Sequence, residues 1–119
     1  MSPILDPEIW ESLKSLEAAG APGFLRELVS EFLAQAPHRM ARVRAAAENG
    51  DAPALEREAH AFKGSCGSLG AFAMAASCDR LETMGRDGSC EGHAEVLASL
   101  EQHWQAVRAE LEGALTRLA

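Results

Sequence analysis

A histidine, a lysine and two glycines lie close together in the stretch HAFKGSCGSLGA, residues 60–71. On a helical wheel with about 100° per residue, His60 is about 140° from the centre of the apolar arc of its helix. Gly64 and Gly67 fall on the same outward side, and Lys63 follows the histidine by three residues toward one flank. The spacing predicts an exposed imidazole beside a helical surface without side chains. The arc that we expect to be buried consists of Leu55, Ala59, Phe62, Cys66 and Leu69.

The glycines of this stretch need a physical reason, because each interior glycine costs a helix roughly 1 kcal/mol relative to alanine. A bare surface next to a reactive group lets another macromolecule approach the ring nitrogen of His60 closely. An exposed neutral imidazole is a competent nucleophile, and the compact ammonium of Lys63 suits phosphate oxygens. The combination predicts phosphoryl transfer on and off His60. Gly70, by contrast, is predicted to close the helix in a left-handed conformation.

A nucleotide-binding motif is absent from the sequence. It contains neither G-x-x-x-x-G-K-[ST] nor a kinase-type glycine-rich loop. We therefore expect a phosphotransfer intermediate rather than an autonomous ATP-dependent kinase. Other proteins would be the phosphate donor and acceptor, and this chain would bind no cofactor.

The same stretch resembles the H-x-x-K-G-S-x-x-x-x-G-A motif of the histidine-containing phosphotransfer (HPt) domains of bacterial phosphorelays. The resemblance extends over essentially the whole chain, including LDPEIWESL near the start and AASCDRLETMGRDG after the motif. It implies a four-helix bundle that relays a phosphoryl group between aspartates of receiver domains in two-component signalling. The partners it implies are response regulator receiver domains and a hybrid sensor histidine kinase, with Mg²⁺ bound to the receiver.

The resemblance also implies roles for individual residues. His60 would carry the phosphoryl group on Nε2, Lys63 would attract its oxygens, and Gly64 would leave room for the receiver. Family members often place a Gln or Glu on the next helix to hold Nδ1 of the histidine, and Glu82 is the candidate here. This contact would fix the tautomer that leaves Nε2 free to attack.

Three further residues of the histidine-bearing helix are assigned by their place on the wheel. Gly67 would add to the clearance for a docking receiver. Arg57, three residues before His60, would supplement the positive field. Ser65 matches the motif but falls on the flank opposite Lys63, so we expect it to be structural.

The elements that must position this stretch are all predicted to be helices. Asp6 is a candidate N-cap with Pro7 at the first helical position, and Gly20 ends this short helix. Pro37 is predicted to break or kink the next helical segment. Short connections then predict an all-α fold, an antiparallel up-down four-helix bundle with an additional short N-terminal helix, in one domain spanning residues 1–119. The later helices are predicted over residues 51–70, 71–84 and 91–118.

Apolar periodicity assigns the packing residues. Phe24, Leu28 and Phe32 are predicted to face the core, whereas Leu25 and Val29 are candidates for an apolar patch on which a receiver docks. Apolar stripes at helical spacing are also predicted on the first helix and, most strongly, on the last. The first stripe consists of Ile9, Leu13 and Leu16, and the last of Leu97, Leu100, Trp104, Val107, Leu111, Ala114 and Leu118.

Composition and charge exclude several classes of function. The 119 residues carry a net charge of −7, which argues against nucleic-acid binding because a polyanion needs a basic surface. We see no signal peptide and no apolar run of about 18 residues, so we expect a cytoplasmic protein without membrane contact. Cys66, Cys78 and Cys90 form no C-x-x-C pair, so neither a disulfide framework nor a zinc site is expected.

Alternatives remain open from the sequence alone. The glycine-bordered surface also suits a non-catalytic helical adaptor in which His60 is never phosphorylated. A metal site using His60 and Glu82 is disfavoured, because the Glu-x-x-His pairs of di-metal bundles are missing. Glu82 also lies four residues before Arg86, a spacing typical of a surface ion pair. With no large apolar surface unassigned, we expect a monomer.

Overall fold

The computed structural model describes residues 3–118, which form five helices joined by short turns. The four longer helices pack as an up-down bundle, and the short first helix lies against it. The prediction of an all-α bundle with an additional N-terminal helix is confirmed. In chain order the helices are α1 (Pro7–Ala18), α2 (Phe24–Glu48), α3 (Ala52–Ser68), α4 (Phe72–Arg86) and α5 (His93–Leu118).

Aspartate caps begin α1 and α3. The Asp6 carboxylate accepts a hydrogen bond from the backbone N–H of Ile9 at 3.1 Å, and Asp51 accepts one from Ala54 at 3.1 Å. Each side chain thereby satisfies a backbone N–H that has no partner within its helix. The predicted starts of α1 and α3 are confirmed.

The end of α3 is a tight turn that also anchors α1. Gly70 has φ of 77°, and the N–H of Ala71 donates to the Cys66 carbonyl at 2.9 Å, as in a Schellman motif. The Gly70 carbonyl accepts from the N–H of Asp6 at 2.9 Å. A Cβ at Gly70 would lie 3.0 Å from the Asp6 nitrogen, so both the left-handed backbone and the close approach require glycine. The predicted role of Gly70 is confirmed.

The buried face of α3 is the predicted arc. All five residues of the arc are at most 1% exposed, and they belong to the main core cluster. Phe62 stacks on Phe32 of α2 with ring centroids 6.4 Å apart, and Phe32 packs against Trp104 of α5 at 6.1 Å. This aromatic contact joins three helices and fixes the rotation of α3 about its axis, so His60 on the opposite side must face outward.

Helix α2 runs unbroken through Pro37, so the predicted break is wrong. Proline in a helix interior costs roughly 3 kcal/mol because it removes a hydrogen bond and clashes with the preceding turn. Here the ring is exposed, whereas Ala36 just before it and Met40 and Val43 after it are buried. Burial on both sides of the proline offsets the local cost and keeps the helix continuous.

The predicted faces of α2 are also corrected. Leu25 and Val29, the candidates for the docking patch, are completely buried, whereas Phe24 and Leu28 are only partly buried. The core face is rotated by one residue from the predicted one, because Leu25, Val29 and Phe32 follow the helical period as well as the predicted set does. Leu25 and Val29 therefore cannot meet a partner.

The apolar stripe of α1 is only partly used. Ile9 and Leu13 are half-buried, but Leu16 is exposed, and α1 has no fully buried residue. Helix α1 contacts the bundle mainly at its start, through the hydrogen bond between Asp6 and Gly70. Its last turn is therefore little buried. The stripe of α5 agrees with the prediction except that Leu118 is only half-buried.

Helices α3 and α4 approach each other closely at Gly85. A Cβ at Gly85 would lie 2.5 Å from the backbone nitrogen of Glu56 and 2.6 Å from the carbonyl oxygen of Ala52. Neither backbone atom can move without shifting α3. Glycine is therefore required here by the neighbouring backbone, and the contact sets the spacing of the two helices one turn from the site.

We predict opposite effects of alanine at two helical glycines. Gly85→Ala lowers the free energy of unfolding by about 1–3 kcal/mol, because the methyl group overpacks the α3–α4 contact. Gly64→Ala raises it by about 1 kcal/mol, because nothing lies within 4 Å of the new Cβ and alanine favours the helix. Urea unfolding followed by circular dichroism measures both. Stabilisation by Gly85→Ala would contradict the close approach.

Candidate functional site

His60 lies on the outward face of α3, where its side chain is 70% exposed. Gly64 and Gly67 follow on the same side, and a Cβ built at either glycine meets nothing within 4 Å. The surface beyond the imidazole is therefore bare backbone, open to a large partner. The structure brings His60, Lys63, Gly64 and Gly67 together as the wheel predicts.

Nδ1 of His60 lies 3.1 Å from Oε2 of Glu82 on α4. The Glu82 side chain is only 6% exposed, so an almost buried carboxylate holds one edge of an exposed ring. An ionised carboxylate only accepts hydrogen bonds, so Nδ1 carries the proton and donates it. In that tautomer Nε2 has a free lone pair. The geometry is that expected for the Glu82 assignment.

Lys63 also contacts Glu82. Its Nζ lies 2.7 Å from Oε1 of Glu82 and 3.1 Å from Oδ1 of Asp79, and the lysine side chain is 31% exposed. Asp79 is a site residue that the sequence analysis missed. The available signal was an acidic pair at i and i+3 on α4, matching the pair His60 and Lys63 at i and i+3 on α3.

Arg86 completes the surroundings of the carboxylate. Its Nη2 donates to Oε2 of Glu82 at 2.9 Å, and its Nε donates to Oε2 of Glu56 on α3 at 3.4 Å. The two roles considered for Glu82, partner of Arg86 and acceptor from His60, are therefore both present on the same oxygen. Arg86 in turn links α4 to α3 through Glu56, another contact that the sequence analysis missed.

These contacts determine how Glu82 ionises. The Lys63 ammonium lowers the pKa of the Glu82 carboxyl below its ordinary value, and the hydrogen bond from His60 acts in the same direction, against the effect of burial. Glu82 and Asp79 in turn raise the pKa of Lys63. The carboxylate and the ammonium are therefore both charged at neutral pH, and the hydrogen-bond acceptor for Nδ1 persists into mild acid.

Arg57 and Ser65 lie apart from this network. The exposed Arg57 has its Nε 4.0 Å from Oε1 of Glu58, and among the described residues no ion pair joins it to His60 or Glu82. The Ser65 hydroxyl donates to the backbone carbonyl of Ala61 at 3.4 Å, a contact within its own helix. Of the sequence candidates, Arg57 is the one that the structure leaves outside the cluster.

A shallow groove of about 260 Å³ lies between α2 and α3 on the side of Ser65. Leu28 and Phe32 supply part of its apolar lining from α2, and Ser65 and Ser68 line it from α3. Partly exposed apolar surface in this groove thus comes from Leu28, whereas Leu25 and Val29 are buried.

The cysteines take no part in the site. Cys66 and Cys78 are buried in the core as free thiols, and Cys90 is half-buried. The neighbouring Cys78 thiol and burial raise the pKa of the Cys66 thiol, so Cys66 stays neutral. In residues 3–118 no helix has both the length and the apolar character of a membrane span.

Comparisons with known proteins identify relatives of this chain. Residues 27–112 match the family model of the Hpt domain. A solved structure of histidine-containing phosphotransfer protein B from Pseudomonas aeruginosa PAO1 has a TM-score of 0.86 and 28% identity, and the match covers 98% of both chains. Histidine-containing phosphotransfer protein 4 of Arabidopsis thaliana is 28% identical over 94% of this chain and 89% of its own length. A maize histidine-containing phosphotransfer protein has the same fold, with a TM-score of 0.83, 24% identity and coverage of 97% and 84%.

The lowered pKa of Glu82 predicts how stability depends on pH. Because the folded-state pKa lies below the unfolded value of about 4.3, the stabilisation is fully present above that pH and is lost as the pH falls through the folded pKa. We expect Glu82→Gln to lower the free energy of unfolding by about 1–3 kcal/mol at pH 7, because a charged acceptor in a nearly buried site is lost.

Urea unfolding of the wild type and of Glu82→Gln between pH 7 and pH 3 measures the difference between their free energies of unfolding. This difference should become smaller below about pH 4. Glu110→Gln, which removes a carboxylate from the exposed side of α5, serves as the control and should show no such narrowing. A difference that stays constant down to pH 3 would show that the Glu82 pKa is not lowered.

Proposed function

This chain belongs to the Hpt domain family, and on that premise we propose that His60 is the residue that carries the phosphoryl group. The function of the chain is histidine phosphotransfer in a two-component phosphorelay, in which it interacts with receiver domains and kinases. The observation that carries the assignment to His60 is its asymmetric setting. One ring nitrogen is held by a nearly buried carboxylate, and the rest of the ring is exposed beside bare backbone.

The chemistry follows from the tautomer. The lone pair of Nε2 attacks the phosphorus of an aspartyl phosphate on the receiver, a bond forms between nitrogen and phosphorus, and the bond to the aspartate oxygen breaks. The electron pair of that bond returns to the aspartate as carboxylate. The imidazole becomes a cation whose Nδ1 proton stays on the ring, hydrogen-bonded to Glu82. The reverse sequence passes the group to a second receiver.

The domain contributes positioning and electrostatics rather than a proton transfer. Glu82 stabilises the positive charge that develops on the ring, and Lys63 lies one turn along α3 to meet the phosphoryl oxygens. The Mg²⁺ that shields the phosphate belongs to the receiver, and this chain supplies no cofactor. Arg57, exposed on the same helix, would add to the positive field that the partner meets.

Docking of the receiver would use the bare surface and the neighbouring groove. Gly64 and Gly67 allow backbone-level approach to His60. The groove beside Ser65 offers partly exposed apolar surface from Leu28, with the buried Phe32 also in its lining. We propose that the chain works as a monomer in the cytoplasm, between a hybrid sensor histidine kinase and a response regulator.

Replacing the acceptor tests the proposed function directly. We expect receiver domains labelled with phosphate to transfer an acid-labile, base-stable phosphate to the wild-type chain, and His60→Gln to abolish the transfer. His38→Gln, at an exposed position of α2, is the matched control and should be labelled like the wild type. Equal labelling of His60→Gln would show that another residue is the acceptor. Binding of receivers without any transfer to the wild type would favour the adaptor instead.

Filling the bare surface should separate folding from function. Gly64→Gln places a long side chain where nothing now lies within 4 Å, without a clash inside the domain. We expect stability to be kept or raised, because glutamine is a better helix former than glycine. Transfer from a receiver should fall about tenfold or more, because the reacting atoms are held apart. Ala109→Gln on the exposed side of α5 is the control, and transfer at the wild-type rate by Gly64→Gln would contradict the assignment.

A further inference from the structure

Lys63, the cation that meets the phosphoryl group, is already paired with two carboxylates in the unphosphorylated domain. We propose that Asp79 is a positioning residue that holds Lys63 until the phosphoryl group arrives and then competes with that group for the lysine. The inference rests on the proposed function of His60 and concerns how strongly the site binds the phosphoryl group. It assigns a role to a residue that neither the motif nor the sequence periodicity singles out.

The two carboxylates on Lys63 are not equivalent. Glu82 is 6% exposed and is also bonded to His60 and Arg86, so its place is fixed from three sides. Asp79 is 61% exposed, and among residues 3–118 the polar contact of its side chain is the one to Lys63, at 3.1 Å. Ion pairs between exposed groups are weak and readily exchanged. Asp79 is therefore the partner that Lys63 can leave.

The charges around the site point the same way. Lys63 and Arg86 face three carboxylates, those of Glu56, Asp79 and Glu82. Arg86 bridges Glu56 and Glu82, whereas the contact of Asp79 in this cluster is with Lys63. A phosphoryl group with a charge of −1.5 to −2 at neutral pH would meet an occupied lysine and a like charge beside it.

Phosphorylation would then rearrange one contact only. As the bond between Nε2 and phosphorus forms, the phosphoryl oxygens become the stronger acceptor for the Lys63 ammonium. An ammonium has three N–H donors, so Lys63 can keep Glu82 with one donor while another turns from Asp79 to the phosphoryl group. The fixed contact of Glu82 with Nδ1 is left undisturbed.

The consequence is a site that takes the phosphoryl group without retaining it too firmly. The favourable interaction of Lys63 with the phosphoryl oxygens is partly offset by the loss of the ion pair between Lys63 and Asp79. Repulsion between the Asp79 carboxylate and the phosphoryl group offsets it further. A relay intermediate must pass the phosphoryl group to the next receiver. Removing the Asp79 charge should strengthen the interaction of the phosphoryl group with Lys63 and favour its fully ionised form.

The test uses phosphoramidate as the phosphate donor, which needs no receiver. Nε2 displaces ammonia from phosphorus, and ³¹P NMR of the phosphohistidine signal against pH gives the midpoint at which the phosphoryl group loses its last proton. We expect Asp79→Asn to lower that midpoint by about 0.2–0.7 pH unit. The shift should shrink as salt is added, because the groups involved are exposed.

Controls separate a local charge effect from a change of structure. Asp79→Glu keeps the charge and should restore the wild-type midpoint, and Glu110→Gln removes a distant carboxylate and should leave it unchanged. An Asp79→Asn midpoint equal to or above that of the wild type overturns this inference alone. If the wild type gives no phosphohistidine signal, or gives only signals that His60→Gln also gives, the proposed function fails. The inference then fails with it.

Discussion

The hydrogen bond between the almost buried carboxylate of Glu82 and the exposed ring of His60 is the constraint on which the site depends. A carboxylate is seldom buried unless its charge is paired. Here one oxygen faces Lys63 and the other accepts from His60 and Arg86. Because Glu82 cannot turn away without leaving these three hydrogen-bond donors, the imidazole is held in one orientation and one tautomer. Catalytic positioning and the stability of the α3–α4 pair therefore share the same contacts.

Packing on the far side of α3 makes this arrangement possible. The apolar arc of α3 is buried against α2 and α5, and this burial directs His60 outward. The backbone contact at Gly85 then brings α4 close enough for Glu82 to reach the ring. The glycines of the domain thus serve two opposite purposes. Gly85 closes the distance between two helices, whereas Gly64 keeps a surface open for a partner.

The sequence predicts those features that depend on one helix at a time. The cap at Asp6, the start of α3 at Asp51 and the buried arc of α3 follow from local hydrogen bonding and from the helical period. The faces of α2 were predicted one residue out of place, because two overlapping apolar sets fit the period equally well. Phe32 belongs to both sets, so its packing against Phe62 and Trp104 fits either one, and the burial of Leu25 and Val29 in the assembled bundle decides between them.

Contacts between helices were harder to predict. Glu82 was found through the family resemblance, whereas Asp79 was missed because nothing in α4 alone shows that Lys63 reaches it. Gly85 precedes a loop in the sequence, where a glycine usually signals the end of a helix. Its actual role depends on the backbone of α3 a few ångströms away, which no pattern within α4 records.

The tautomer of His60 is the most direct test of whether Glu82 holds the ring. Two-bond ¹H–¹⁵N correlation spectra of the unphosphorylated protein, labelled with ¹⁵N-histidine, distinguish a protonated from an unprotonated ring nitrogen. Above the pH at which the imidazolium becomes a neutral imidazole, we expect Nδ1 of His60 to be protonated and Nε2 to be unprotonated. A spectrum in which Nε2 carries the proton would show that Glu82 does not hold the ring, and would contradict the assignment of Nε2 as the nucleophile.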